Sequence, residues 1–315
     1  MSDQNRPAIA VVGSLNIDYF AKVAELPSPG ETVGSTDLTL HYGGKGANQS
    51  IACARQGAEV FLIGAVGGDE EGRKYLEVLA GESGLSLESV RTAEGRTGSA
   101  FITVDQRAEN TIVTAAGANA QVTVTSIQEN EAKIRSCAAV LAQLEVPIPS
   151  VVEAARIAND AGIPFLLNPS PVSDQFPWQE VRTDYLIVNE GEAEVILEFP
   201  PLEEEESVVR QRLHELRIET MVVTRGGDET LCYSRNADPL AVETLPVLPV
   251  DTVGAGDAFA GCFAARIAGG DDVESALRAG NCAGALTTLG SGAQDPIPDR
   301  EKVEQHLEHL RATTS

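Results

Sequence analysis

Cysteine is scarce and scattered, with five residues in 315, at positions 53, 137, 232, 262 and 282, and no C-x-x-C pair among them. Cys53, Cys137, Cys232, Cys262 and Cys282 sit mostly in apolar or Ala-rich stretches, so they read as small core residues rather than a disulfide frame or zinc site. Long hydrophobic runs are also missing: stretches such as 138–142 fall far short of the roughly 20 residues a membrane helix needs. The opening residues M-S-D-Q-N-R-P lack the basic-then-apolar order of an export signal, and a cytoplasmic protein is expected. Neither the dinucleotide pattern G-x-G-x-x-G nor a Walker A loop occurs, which removes the support for a nicotinamide cofactor or a P-loop. Aromatics make up only 4% of the chain.

Positive charge is also in short supply. Against 47 acidic residues there are 23 basic ones, only five of them Lys, for a net charge of -24 and a pI near 4.5. Such a surface repels nucleic acid and acidic membranes, so neither is an expected partner. An acid-rich, Lys-poor surface suits a high-salt host, where repulsion is screened, and a melting temperature that rises with added salt is the corresponding expectation.

What is present is an ordinary soluble composition, 43% hydrophobic with a mean hydropathy of -0.07, in a chain long enough to bury a large core. The most informative stretch is 249–261, P-V-D-T-V-G-A-G-D-A-F-A-G. The turn Gly254-Ala255-Gly256 precedes an Ala-rich apolar run that should be a helix. Small residues let backbone N–H groups approach a ligand, and at a helix start those groups are unpaired and favour negative charge. Asp257 stands where this anion cradle meets the helix. A carboxylate there binds phosphate poorly but accepts a hydroxyl proton well, so the stretch describes phosphoryl transfer to an alcohol. The blander reading is a helix start with an acidic cap.

Upstream, residues 8–13 read as a buried first strand, followed by S-L-N-I-D. Asn16 and Asp18 alternate with Leu15 and Ile17, so both polar side chains face one way at the end of a central strand, placed to grip sugar hydroxyls or merely to cap a loop. H-Y-G-G-K-G-A-N-Q-S, residues 41–50, is a Gly-rich loop leading into a helix, with Lys45 and Asn48 at its start. Runs at 19–23, 32–42, 97–104 and 110–115 are β-prone and interrupt the strand–helix alternation. They predict a small separate sheet acting as a lid.

From 122 onward the alternation is regular, with strands expected at 138–144, 164–167, 185–188 and 221–224. It argues for an α/β fold with a mostly parallel central sheet, helices on both faces, and ligands at the carboxyl ends of the strands. Glu145, Asn168, Asn189 and the run Thr224-Arg225-Gly226-Gly227 all follow strands on that rim. Glu192, one turn into the helix that Asn189 opens, could join it in holding the waters of Mg²⁺. Asn281 lies inside a second small-residue helix, and Gly290-Ser291-Gly292-Ala293-Gln294 makes a tight turn whose carbonyls could ligate a monovalent cation. No linker or repeat divides the chain, so 1–315 is expected to be one domain with lid strands from about 16–42 and 97–115 inserted in it.

In this order and spacing, G-S-L-N-I-D, G-G-K-G-A-N-Q, L-E-V-P, N-P-S-P, N-E-G-E, T-R-G-G and D-T-V-G-A-G-D-A-F-A-G resemble the carbohydrate kinases of the ribokinase family, from about residue 8 to about residue 310. The resemblance implies a β lid that forms a homodimer contact. It places a sugar between Asn16, Asp18, Gly44, Lys45, Asn48 and Glu145, with Asp257 as base and the backbone of Gly254, Ala255 and Gly256 as anion hole. ATP would lie along Asn189, Thr224, Gly226 and Gly227 with Asn281 near the adenine, and Asn189 and Glu192 would support Mg²⁺ through water. A potassium site would use carbonyls of Asp251, Val253, Gly290 and Gly292, although Pro296 stands where the family usually has a serine facing that ion. The implied reaction is transfer of the ATP γ-phosphate to the terminal hydroxyl of a pentose, ribose first. Deoxyribose, a hexose such as fructose, a nucleoside, or a sugar sensor without turnover are the alternatives.

Overall fold

The computed structural model describes residues 6–107 and 109–313, with side chains to 308; residues 1–5, most of the stretch searched for an export signal, lie outside them. The first half runs β1 (Ala8–Val12), β2 (Asn16–Lys22), β3 (Asp37–Gly43), α1 (Lys45–Arg55), β4 (Glu59–Gly67), α2 (Glu70–Leu79), β5 (Leu85–Ser86), β6 (Val90–Ala93), β7 (Gly98–Val104) and β8 (Asn110–Ala115). A 3₁₀ turn (Gly117–Gln121), α3 (Val124–Gln128) and α4 (Glu131–Arg135) lead to β9 (Ala139–Gln143), α5 (Ile148–Ala161), β10 (Phe165–Asn168), β11 (Thr183–Asn189), α6 (Glu190–Leu197) and α7 (Glu206–Glu215). The chain closes with β12 (Ile218–Thr224), β13 (Thr230–Ser234), β14 (Leu240–Val242), α8 (Ala255–Ala268), α9 (Val273–Thr287) and α10 (Arg300–Thr313).

The large sheet has the order β14-β13-β12-β11-β10-β9-β1-β4-β5, with β6 also paired to β4. It is parallel from β12 through β5, and antiparallel only at the β13–β14 edge. Period 2 explains why it is covered on both sides. Along β1, Ala10 and Val12 join the core beneath α5, α6 and α7, while Ile9 and Val11 join the core beneath α1, α8 and α9. Every one of these four side chains is fully buried.

The second sheet, β3-β2-β7-β8, is the expected lid. Two boundaries differ from the sequence reading. Asn16 and Asp18 belong to the first lid strand rather than to the end of a central one, because β1 ends at Val12 and the chain turns before β2. The second lid segment becomes extended only at Asp37, since the stretch before it carries Pro27 and Pro29 and is mostly exposed. The edge strands β13 and β14 and the short β5 and β6 were not foreseen. Between 122 and β9 the chain forms two short helices, α3 and α4.

Candidate active site

Two helix starts face each other at the carboxyl edge of the large sheet. Helix α1 begins right after Gly44, whose φ of 91° and tight fit against the Ser14–Asn16 backbone leave no room for a Cβ. Helix α8 begins after Gly254, at φ 79°, where an added Cβ would lie 2.6 Å from the Ala293 carbonyl. The two helices pack closely because Gly261 has no side chain: a Cβ there would meet the Gln49 carbonyl at 2.5 Å. Asp257, one helical turn before Gly261, is thereby brought to the first turn of α1.

There the Asp257 carboxylate, 7% exposed, accepts hydrogen bonds at both oxygens. Asn48 Nδ2 donates to Oδ2 at 2.9 Å and Gln49 Nε2 to Oδ1 at 2.9 Å. Its charge is the main reason the Lys45 ammonium is held above its ordinary pKa, against the opposing effect of burial and with help from Glu145 and Glu192. Asp18 lies against Gly43 and shares the same space. Burial first, then the charges of Glu145 and Asp257, push its carboxyl up to about 7. Glu145 is fixed through one oxygen, which accepts from the Ser14 hydroxyl, from the Lys45 backbone N–H at 3.1 Å and from Asn16 Nδ2 at 3.5 Å. Asn16, Asp18, Gly44, Lys45, Asn48, Glu145 and Asp257 are therefore one polar cluster, built from the lid, α1, the end of β9 and α8.

On the other side of the α8 start opens a cavity of about 700 Å³. Thr224, Gly226, Gly227, Ala255, Gly256 and Asn281 line it, together with the segment 244–249. A Cβ on Gly256 would meet nothing within 4 Å, so the backbone there faces open space. The Ala255 N–H leans toward the Thr252 carbonyl at 3.3 Å, and the regular helix bonds begin with Ala258 N–H to Gly254. An approaching anion thus meets chiefly the amides of Gly256 and Asp257. Asn281 lines the wall with its amide already committed: it accepts from Thr230 Oγ1 at 2.6 Å and donates to the Val242 and Glu243 carbonyls at 3.0 and 3.1 Å. It holds β13 and β14 to α9 at the cavity wall.

Asn189 and Glu192 form a reciprocal capping box, Asn189 N–H to Glu192 Oε2 at 3.0 Å and Glu192 N–H to Asn189 Oδ1 at 2.8 Å. That uses one Glu192 oxygen. Among the described residues no group of three or more His, Cys, Asp or Glu is arranged to hold a metal. The Asp251 carboxylate ties two turns together, accepting from Val253 N–H at 3.0 Å and Gly292 N–H at 2.9 Å. Gly290 packs on Pro296, whose Cβ lies 2.7 Å from where a Gly290 side chain would begin.

Sequence reasoning missed several residues here. Ser14, Gln49, Tyr75, Asn119 and Gln294 hold the cluster, and Phe259 and the segment 244–249 shape the cavity. Gln294 Nε2 donates to Asn48 Oδ1 at 2.8 Å and to the Tyr75 hydroxyl at 2.6 Å, and Tyr75 in turn donates to the Gly43 carbonyl at 2.6 Å.

A polar, carboxylate-lined cluster facing an anion-binding helix start, beside a nucleotide-sized cavity, is the arrangement of a kinase acting on a polyol. The description "pfkB family carbohydrate kinase" matches residues 6–300. The chain belongs to the pfkB family of carbohydrate kinases. It is 34% identical to the ribokinase of Haemophilus influenzae over 306 residues, covering 96% of this chain and 99% of that one. It is 35% identical to the ribokinase of Bacillus subtilis, covering 95% and 99%. Among solved structures, the Arabidopsis thaliana ribokinase complexed with ribose and ATP superposes with a TM-score of 0.88 at 27% identity, covering 96% of this chain and 99% of that one. This pfkB chain is accordingly a sugar kinase that uses ATP, and no helix among its described residues is long and apolar enough to cross a membrane.

Proposed function

We propose that this carbohydrate kinase transfers the γ-phosphate of ATP to the terminal CH₂OH of ribose, giving ribose 5-phosphate and ADP. The observation that carries the reading is the position of Asp257: its carboxylate belongs to the polar cluster while the amides of its own helix start face the cavity. The sugar lies among Asn16, Asp18, Gly44, Lys45, Asn48 and Glu145. Asp257 takes the proton of the attacking hydroxyl as its oxygen bonds to the γ-phosphorus and the bond to the β-phosphate oxygen breaks, the pair of electrons leaving with ADP. Helix-start amides and Lys45 oppose the charge that spreads over the transferring group. Asn189 and Glu192 are the side chains that would support Mg²⁺ through its waters, and the ion supplies charge neutralisation on the phosphates. Carbonyls of Asp251, Val253, Gly290 and Gly292, in the turns joined by Asp251, are the group that would hold potassium.

Ribose is favoured over bulkier acceptors by the density of paired polar groups, which penalises a ligand that leaves them unpaired. A relative at 29% identity is the deoxyribokinase of Salmonella typhi, so the 2-hydroxyl is the discriminating feature. The outer lid face supports a homodimer: Leu40, Tyr19, Phe101 and Val113 stand directly opposite one another across four strands, and Leu40, Phe101 and Val113 are 43, 51 and 67% exposed. The enzyme would work in the cytoplasm.

ATP consumption in Mg²⁺ against ribose, deoxyribose, fructose, arabinose and adenosine, with and without potassium, tests the proposal. The highest kcat/KM is expected for ribose. Preference for adenosine would replace the substrate, and no turnover across the panel would make the protein a sensor.

A further inference from the structure

Gln49 is fully buried and reaches no substrate space, yet its amide is among the most tightly specified groups in the molecule. Its Nε2 donates to Asp257 Oδ1 at 2.9 Å and to Asn168 Oδ1 at 3.0 Å, and its Oε1 accepts from Gln143 Nε2 at 2.6 Å. Gln143 and Asn168 stand side by side on β9 and β10, and Asn168 is itself fixed by donating to the Ile187 carbonyl at 2.8 Å. The Gln49 backbone, in turn, is the surface against which Gly261 of α8 packs. One side chain therefore joins two strands of the central sheet to the carboxylate at the start of α8.

The direction of this amide chain has one source. An ionised carboxylate only accepts, so Gln49 must present its NH₂ group to Asp257, and its carbonyl must then face Gln143. Gln143 has to answer with its own NH₂, which turns its Oε1 toward Gly13. That oxygen is buried with no hydrogen-bond partner. An orphaned acceptor costs stability, of order 1–3 kcal/mol. The fold accepts it where it keeps the Gln49 amide aligned on the carboxylate.

We infer that Gln49 is a positioning residue for the phosphoryl transfer: it locks the rotation of the Asp257 carboxylate so that the base faces the sugar hydroxyl, without itself contacting the sugar. Asn48, on the other oxygen, belongs to the sugar cluster. Gln49 touches the base and, through Gln143 and Asn168, the central sheet, but none of the other residues placed around the sugar. The inference rests on Asp257 being the base, and the test separates the two claims.

The experiment compares Gln49→Met, Gln49→Leu, Asp257→Asn and the double variant Gln49→Met/Asp257→Asn, with kcat and KM for ribose measured at saturating ATP. Gln49→Met is expected to lower kcat by about tenfold or more while KM for ribose changes by less than about threefold, the split of a residue acting only on the chemical step. In the Asp257→Asn background the same substitution should lower the residual kcat by less than about twofold, because the group it orients is gone. Losses that multiply in the double variant, or wild-type kcat in Gln49→Met, would overturn the inference while leaving Asp257 as base. Wild-type turnover in Asp257→Asn would overturn both. Should Gln49→Met not fold, Gln49→Leu, which also lacks a donor and adds no charge beside Asp257, carries the same comparison. Failure of both to fold would assign Gln49 to stability and refute a role confined to the base.

Discussion

Asn119 Nδ2 donates to Asn16 Oδ1 at 2.7 Å directly over Gly98, where an added Cβ would lie 2.1 Å from the nitrogen and 2.4 Å from the oxygen. The same Asn119 accepts from the Leu15 N–H at 3.0 Å and donates to the Leu15 carbonyl at 3.2 Å, so it pins the chain where it passes from the large sheet into the lid. Gly98→Ala should push Asn16 out of the sugar cluster. The expected outcome is a stability loss of about 1–3 kcal/mol by denaturant unfolding, the usual range for overpacking. Sugar KM should rise about tenfold, equivalent to about 1.4 kcal/mol. Unchanged sugar affinity would contradict this role for the contact.

Asp18 makes the apo protein's stability depend on pH. Its carboxyl is raised from 3.8 to about 7, so the fold favours the protonated form. That contribution is complete below the unfolded value and is lost as the pH climbs through about 7. Sugar hydroxyls donating to the carboxylate reverse the preference, so ribose affinity should increase from about pH 6 to about pH 8, with a proton released on binding. Asp18→Asn should flatten both the unfolding and the binding profiles. Calorimetry in buffers of different ionisation enthalpy would detect the proton, and its absence would count against Asp18 as a sugar ligand.

One substitution separates the cap that Glu192 makes from its proposed support of Mg²⁺. Glutamine keeps an oxygen for the Asn189 N–H and so preserves the capping box, but it removes the charge. Glu192→Gln should leave the melting temperature within a degree or two and raise the Mg²⁺ concentration for half-maximal rate several-fold, as expected for a charge acting through water. An unaltered Mg²⁺ dependence would leave Glu192 as a cap only.

Arg55, at the far end of α1, donates to the carbonyls of Gln294, Asp295 and Ile297 at 2.7, 3.3 and 2.9 Å and pairs with Glu82 at 2.6 Å. It clamps the segment that carries Gln294 to Asn48. Arg55→Met should cost about 1–3 kcal/mol through carbonyls left unpaired, read from denaturant unfolding. It should also raise sugar KM more than it lowers kcat.

The parts of the site that sequence could reach were those whose role is written in local backbone chemistry. Gly44 and Gly254 mark positive-φ turns before helices, and Asp257 follows its turn by fixed spacing. The parallel sheet was legible because its strands are buried on both faces and read as short apolar runs between helical stretches. The edge strands β13 and β14 escaped because they are short and only partly buried. Gln49 and Asn119 escaped for a different reason. Gln49 meets Asp257 208 residues away and Asn119 meets Asn16 103 residues away, and a glutamine inside a helix or an asparagine in a short turn carries no local sign of such a partner. Asn16 and Asp18 were assigned to the wrong sheet, since alternation gives the face and not the strand's neighbours.

The central claim is that Asp257 removes the sugar proton, and Asp257→Asn tests it most directly, because asparagine keeps the size of the side chain and loses the base. Single-turnover kinetics, paired with calorimetric ribose binding, should show kcat lower by about 10²-fold or more with ribose affinity within about threefold of wild type. Wild-type turnover in that variant would contradict the account.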